Sequence, residues 1–381
     1  MNIAFFTDTY LPQINGVVTS IEIFREALEK KGHNVYIYAP YIGGKSASAE
    51  KNVFRFKSAK FIFQPEYRIS LPYSRSLNKF SKLDIDIVHC HTPFSMGLLG
   101  IFMAKKYNKP LVHTYHTMFS EYVHYLPIPG DYAKNFAIWA SKSFCNSNHL
   151  VIVPSIKVKE ELINYNVTTP IEVIPTGIVL TDYHKIFTTE AEKTYNLSKD
   201  LIYITTISRL GKEKNIPFLL KTFAVINSSL PQTRFIIIGD GPEKKNLLKE
   251  AEKLGILDKI IFTGYIERNL IFPLLKMSRA FIFASKTETQ GLVILEALSM
   301  KVPAVAIDAM GVSSILEDNL GGMLSTENEQ EFADKVLKLI SDEKLHEQKS
   351  NEAYKKALSL SANKMARKLI ECYRILSPDG C

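Results

Sequence analysis

Short apolar runs, rich in β-branched residues, recur along the whole chain, separated by stretches whose apolar residues return every three or four positions. Runs of four to eight read as buried strands and the longer stretches as amphipathic helices. The first half of the pattern predicts strands at about 2–7, 34–39, 52–57, 86–91, 110–115, 149–153 and 171–174, with helices that include 17–32, 95–106 and 155–164. The second half predicts strands near 201–207, 233–239, 259–263, 279–284 and 303–307, and helices near 215–228, 242–254, 291–300 and 327–342. Buried strands alternating with helices imply parallel sheets covered on both faces, an α/β doubly wound class. A polar stretch at about 181–199 lacks a strand and divides the series into domains 1–178 and 179–360. Residues 343–377 read as helical and Lys-rich, with a last helix at about 361–381 expected to return to the first domain. Two such domains in tandem can turn the carboxyl ends of their strands toward one crevice, the usual place for a ligand.

Composition narrows the class. The 381 residues are 46% apolar and 23% charged, which excludes a disordered chain, a collagen and a disulfide scaffold. No apolar run reaches the roughly 20 residues of a membrane-spanning helix. Met1–Phe6 runs into Asp8 without a basic region or a cleavage site, so a cytoplasmic protein is expected. Cys90, Cys145, Cys372 and Cys381 show no CxxC spacing and read as reduced thiols. Residues 1–180 carry 19 Lys and Arg against 13 Asp and Glu, whereas the remainder carries 28 against 26. The basic half points to an anionic partner, either nucleic acid or a membrane surface.

The sharpest motif is Glu288-Thr-Gln-Gly291-Leu292-Val-Ile-Leu-Glu296, after the predicted strand 279–284. Helix-start N–H groups at Gly291 and Leu292 can hold a phosphate. Glu288 in the loop and Glu296 inside the helix could then straddle an anchored diphosphate with a polyhydroxyl group at either end. The same spacing also suits a surface helix whose first turn favours an acid. In Ser208-Arg209-Leu-Gly-Lys212-Glu-Lys214-Asn215, Arg209 and Lys214 could neutralise a diphosphate, although a solvated basic loop would look the same. Asn15-Gly16-Val17 and Gly239-Asp240-Gly241-Pro242 permit close backbone approach to a phosphate or simply make turns. Lys244 stands where a dinucleotide fingerprint has its third glycine, which speaks against an NAD enzyme.

Histidines cluster in the first half at His89, His91, His113, His116 and His124, without a metal-ligand spacing. His89 and His91 read as hydrogen-bonded core residues. His116, at the carboxyl end of its strand, is expected to face the crevice and could bond a sugar hydroxyl. Asp84-Ile-Asp86 imitates a metal-binding DxD but precedes its strand, away from the ligand edge, so no divalent metal is expected. Residues 51–82 combine Lys51, Arg55, Lys57, Lys60, Arg68, Arg75, Lys79 and Lys82 with seven aromatics and the single acid Glu66. This mixture suits single-stranded nucleic acid or an anionic membrane interface, unless the aromatics are core and the charges solvated.

Taken together these motifs resemble the retaining GT-B glycosyltransferases of family 4. The Glu288/Glu296 pair, the Arg209/Lys214 pair, Gly239-Asp-Gly-Pro, Pro175-Thr-Gly177-Ile, residues 9–20, His89-Cys-His-Thr-Pro-Phe and Val112-His-Thr-Tyr-His-Thr117 all match, and Gln64–Arg68 matches loosely. The N-terminal segments and the Glu-Thr-Gln-Gly form are most similar to bacterial 1,2-diacylglycerol 3-glucosyltransferases. The resemblance implies transfer of glucose from UDP-glucose to diacylglycerol with retention, without metal or cofactor, by an enzyme peripheral to the inner face of the cell membrane. It implies that Arg209 and Lys214 hold the diphosphate, approached by the Gly16 backbone. By the same likeness Glu296 takes the ribose, Glu288 the sugar hydroxyls and His116 the 6-hydroxyl, with Ile266 near the base. Lys57, Lys60, Arg68, Arg75 and Lys79 would face the membrane and acceptor.

Two departures stand beside the donor site: Met300-Lys301-Val302-Pro303 where the family has small-Gly-x-Pro, and Met310-Gly311 where it has Gly-Gly. With no carboxylate evidently opposite the sugar, a same-face mechanism is expected, the leaving phosphate accepting the acceptor's proton. Alternatives are another donor such as GDP-mannose, a soluble glycan or phosphoinositol-lipid acceptor, and a non-catalytic nucleic-acid binder using residues 51–82.

Overall fold

The computed structural model describes residues 1–13, 15–42, 51–60, 68–121 and 130–377, without the side chains of Lys60, Arg75 and Ser76. Phe61, Phe63, Glu66, Tyr67, His124 and Cys381 therefore lie outside the described residues. The chain forms two compact units: residues 1–177 with 362–381, and residues 178–361.

The first unit holds strands β1 (Asn2–Phe6), β2 (Asn34–Pro40), β3 (Val53–Phe56), β4 (Ser58–Lys60), β5 (Arg68–Ser70), β6 (Ile87–Cys90), β7 (Leu111–Thr114), β8 (Leu150–Val153) and β9 (Ile171–Val173). Seven of them form a sheet of order β3-β2-β1-β6-β7-β8-β9, parallel throughout, while β4 and β5 pair as a small antiparallel ribbon. Side chains alternate across this sheet. Phe6, Tyr38, Val88 and Cys90 share one face with Met96, Leu99, Met103 and Phe144. A Cβ on Gly100 would sit 2.5 Å from Cys90 Sγ, which is why a small residue faces the sheet there. His113, the register partner of Cys90, stacks edge-on against Phe144 with centroids 4.7 Å apart. Helices Ser95–Lys106 and Gly130–Cys145 thus cover the same face. Helix Ala362–Leu376 belongs to this unit, and its buried Tyr373 reaches His89 on the opposite face.

The second unit holds β10 (Ile202–Ile207), β11 (Thr233–Ile238), β12 (Ile260–Gly264), β13 (Ser278–Phe283), β14 (Ala304–Ile307) and β15 (Gly322–Ser325), ordered β12-β11-β10-β13-β14-β15 and all parallel. Alternate residues feed two cores: Ile236, Ile238, Phe281 and Phe283 on one face, Phe235, Ile237, Ala280 and Ile282 on the other. The chain enters at Ile178 and leaves at Ser361, two residues that form a parallel bridge. The polar stretch before β10 holds the short helix Thr189–Tyr195.

The two departures from the family pattern fall on left-handed backbone, Lys301 at φ 58° and Met310 at φ 42°. Lys301 ends helix Leu292–Ser299 in a Schellman motif, its N–H donating to Leu298 O (3.0 Å) and that of Val302 to Ala297 O (3.1 Å). Glycine takes this conformation without the roughly 1–2 kcal/mol that a side chain costs. Lys301 gains a partial offset, its Nζ lying 5.3 Å and 5.5 Å from the ring centroids of Tyr183 and Tyr354.

Candidate active site

In the second unit the loops after β10, β11, β13 and β14 leave the carboxyl edge of the sheet, where ligands of doubly wound folds bind. They are tied together by backbone. Ser208 N donates to Ile238 O (3.0 Å), Leu210 N to Asp240 O (2.9 Å) and Glu243 N to Leu210 O (3.0 Å). Gly239 takes φ +131°, and a Cβ there would lie 1.9 Å from Ser208 O; one on Gly241 would lie 2.5 Å from Leu210 O. The Gly-Asp-Gly-Pro turn therefore needs its glycines for loop–loop packing. Lys244 bonds Asp240 at 2.8 Å and pulls that carboxylate below its ordinary pKa range.

The loop after β13 is held from both sides. Ser285 Oγ donates to Glu213 O (3.1 Å), and Glu327 accepts from Asn215 Nδ2 and Lys286 Nζ, both at 2.7 Å. Gly311 N donates to Glu288 O (2.9 Å). Within this frame Lys214 Nζ donates to Glu288 Oε1, both side chains being largely shielded from solvent. Gly291, at φ +84°, turns the chain into helix Leu292–Ser299 and, as its N-cap residue, brings no side chain to cap it. Glu296 meets a different cation, Arg268, at 3.3 Å. Burial raises the Glu296 pKa and the Arg268 charge opposes the rise. Arg209 is exposed at the end of β10, Lys212 is exposed beside it, and Ile266 packs partly against the unit's core. The structure thus joins Lys214 with Glu288 and pairs Glu296 with Arg268. Ser285, Glu327 and Arg268 were not anticipated; their partners are distant in sequence, and nothing local marks them.

The first unit presents its own carboxyl edge. His116 lies two residues beyond β7, and its Nε2 shares a 3.0 Å hydrogen bond with His91 Nδ1. His91 Nε2 is buried without a hydrogen-bond partner among the described residues. His89 bonds Tyr373 Oη (2.5 Å) through Nδ1 and Thr114 Oγ1 (2.7 Å) through Nε2, as expected of a core residue. Burial holds all four rings neutral: it takes His116 down to about 3, helped by the His113 charge, and His113 to about 4, and leaves His89 and His91 well below the usual range. Asp8, one more residue that sequence did not single out, is buried and accepts from Thr92 Oγ1 (2.6 Å), Ser95 Oγ (2.5 Å) and Met96 N (2.8 Å). Burial raises its pKa against those bonds. Gly16 opens helix Gly16–Glu29 behind the Asn15 cap, and a Cβ added to it would meet no described atom within 4 Å.

An unfolded histidine titrates near 6.5, so below that pH the unfolded chain binds protons that the folded rings refuse. The stability these rings contribute is complete above about pH 6.5 and is lost as pH falls toward 4. Between pH 7.5 and pH 5 the loss should approach about 2 kcal/mol for each of His113 and His116. Urea unfolding at the two pH values, with histidine ring resonances recorded at pH 5, checks this. Rings already protonated in the folded protein at pH 5 would contradict it.

The segment 51–82 divides. Phe54, Phe56 and Phe80 pack in the core around Tyr38, and Arg55 lies 5.0 Å over the Tyr10 ring. Arg68 bonds Ser58 Oγ (2.8 Å) and Ser58 O (3.2 Å), whereas Lys57, Lys79 and Lys82 are exposed. Asp86 accepts from Asn2 N (2.7 Å) at the amino end of the sheet, a fold-holding contact. Among the described residues no three His, Cys, Asp or Glu side chains converge as metal ligands, and no helix is long and apolar enough to cross a membrane.

Residues 14–182 match the family model for Glycosyltransferase Family 4, and residues 187–356 match that for Glycosyl transferases group 1. The alpha-monoglucosyldiacylglycerol synthase of Streptococcus pneumoniae is 31% identical over 98% of this chain and 85% of its own. The protein of the same description from Acholeplasma laidlawii is 32% identical over 87% of this chain and 86% of its own. The Anabaena protein HepE, solved with UDP-glucose, superimposes with a TM-score of 0.78 at 19% identity, over 99% of this chain and 100% of its own. Two doubly wound units of this kind make the GT-B fold, and the chain belongs to glycosyltransferase family 4.

Proposed function

We propose that this glycosyltransferase moves glucose from UDP-glucose to the free hydroxyl of diacylglycerol, retaining the anomeric configuration and using no metal. The observation that carries the donor half is the Lys214–Glu288 pair, fixed by four loops beside a helix start with glycine at its N-cap. Lys214, Arg209 and the N–H groups at Gly291 and Leu292 would stabilise the charge gathering on the departing diphosphate. Glu288, released from Lys214 by that diphosphate, would take sugar hydroxyls, and Glu296 the ribose. Gly16 supports the reading from the first unit, because a Cβ there would meet no described atom within 4 Å, which leaves room for close approach of a phosphate. The neutral ring of His116 suits a hydrogen bond to the sugar 6-hydroxyl. The acceptor half draws on the two diacylglycerol-directed relatives, aligned with most of this chain.

With the leaving phosphate on the attacked face, the acceptor's proton would pass to a phosphate oxygen as the new bond forms on the side the old one leaves. A mixture of nucleotide-sugars offered with diacylglycerol in detergent and chelator, and analysed by product mass and anomeric proton coupling, tests each part. An α-glucosyl diacylglycerol is the expected product. A different sugar mass, a β-linkage or a requirement for added metal would each remove the corresponding part.

A further inference from the structure

Helices Ser95–Lys106 and Gly130–Cys145 lie side by side on one face of the first sheet, and each turns apolar side chains away from it. A Cβ on Gly97 would stand 3.0 Å from the Phe144 ring, so the two helices touch. On the first, Leu98 and Phe102 are each 59% exposed, with Lys105 one further turn along the same stripe. On the second, Tyr132 is 76%, Phe136 62% and Trp139 61% exposed, while Ala133, Ser141, Phe144 and Cys145 face inward. Spacings of four and three place the three aromatics on one line, and the Phe136 and Trp139 ring centroids are 5.8 Å apart.

The second helix also reaches past the sheet. Ser141 Oγ bonds Tyr115 Oη (3.0 Å), and Tyr115 is the first residue beyond β7. The residues before Ser141 therefore overhang the carboxyl edge by up to about 15 Å at 1.5 Å per residue. That is the edge on which His116 lies. Lysines outnumber acids around these helices. Lys105, Lys106, Lys109, Lys134 and Lys142 stand against the single acid Asp131 in residues 95–109 and 130–145. Lys79 and Lys82 join them, because Phe80 packs on Tyr107 with centroids 5.0 Å apart. Aromatic rings among lysines on an outward helical face suit the headgroup level of an anionic bilayer, where a ring can sit half in hydrocarbon and a lysine can meet lipid phosphate.

We infer that the outward faces of these two helices form the surface by which the first unit lies on an anionic membrane, with Tyr132, Phe136 and Trp139 seated among the headgroups. The inference deepens the proposed lipid acceptor and rests on that reading. It places the overhanging helix where a diacylglycerol headgroup would have to rise toward His116.

The chain supplies its own probe, since Trp139 is its single tryptophan. The full-length protein is titrated with vesicles of phosphatidylglycerol and phosphatidylcholine, and binding is measured by co-sedimentation. Bound protein should show Trp139 emission shifted to the blue and quenched by bromine placed high on the acyl chains. Tyr132→Ser with Phe136→Ser should weaken vesicle binding about tenfold or more, leaving transfer to short-chain diacylglycerol dispersed in detergent unchanged. Vesicle-bound protein with unshifted, unquenched Trp139 would overturn the inference even if the double variant failed to fold. So would absence of binding, or a blue shift that follows protein concentration without lipid, which would assign the stripe to a second copy. Transfer in detergent reports separately on the proposed function. If diacylglycerol is not glucosylated while Trp139 is quenched, the surface stands and the acceptor falls.

Discussion

Lys214→Ala is expected to lower kcat/KM by about 100- to 1,000-fold, the usual cost of removing a preorganised donor from developing charge. The residue is a strong test because it has two alternative anionic partners. In the protein as described it neutralises Glu288; with the donor bound it would turn to the diphosphate. Glu288→Ala and Arg209→Ala should be similarly severe, with circular dichroism and thermal midpoint close to those of the parent. The Lys214→Ala, Glu288→Ala double variant should lose much less than the product of the single losses, because the partner left behind is already compromised. Product assays with UDP-glucose and dispersed diacylglycerol supply the rates. Near-normal turnover in Lys214→Ala would remove the cation from the mechanism.

Gly311→Ala should destabilise the second unit by about 3 kcal/mol or more, or shift the loop that carries Glu288. A Cβ there would stand 1.8 Å from Thr289 O and 2.5 Å from Gln290 N, both backbone atoms that cannot rotate away. A shifted loop would break the Gly311 N to Glu288 O bond and raise KM for the nucleotide-sugar. Gly16→Ala is the contrasting case: with open space around the new methyl, urea stability should hold while kcat/KM falls. The pair separates a glycine needed by the fold from one needed by the ligand. A stable, fully active Gly311→Ala protein would show that the loop has slack that the geometry denies.

The sheets were legible because β1, β10, β11 and β13 are nearly continuous apolar runs, and burial on both faces demands such runs. β15 was not, since Gly322-Met-Leu-Ser is short and carries no β-branched residue. Helix Arg268–Met277 hides behind Pro273, which usually argues against a helix interior. Helix Gly130–Cys145 is obscured for a different reason: its largest apolar residues face outward, so periodicity read as burial points the wrong way. At the site, Lys214, Glu288 and Glu296 were visible from spacing relative to strand ends. Glu296's pairing with Arg268 was not, because it depends on how the loop after β12 returns toward helix Leu292–Ser299, which no local pattern encodes.

Helix Ala362–Leu376 has a consequence for how the molecule is made. Tyr373 closes the hydrogen-bonded line to His89 in the middle of the first sheet, yet it is synthesised some 280 residues later. A nascent chain can complete the second unit while the first still lacks the helix that shields one face of its sheet. The unit begun first is thus completed after the second, and the sheet face that carries His89 stays open to water until this helix has emerged from the ribosome.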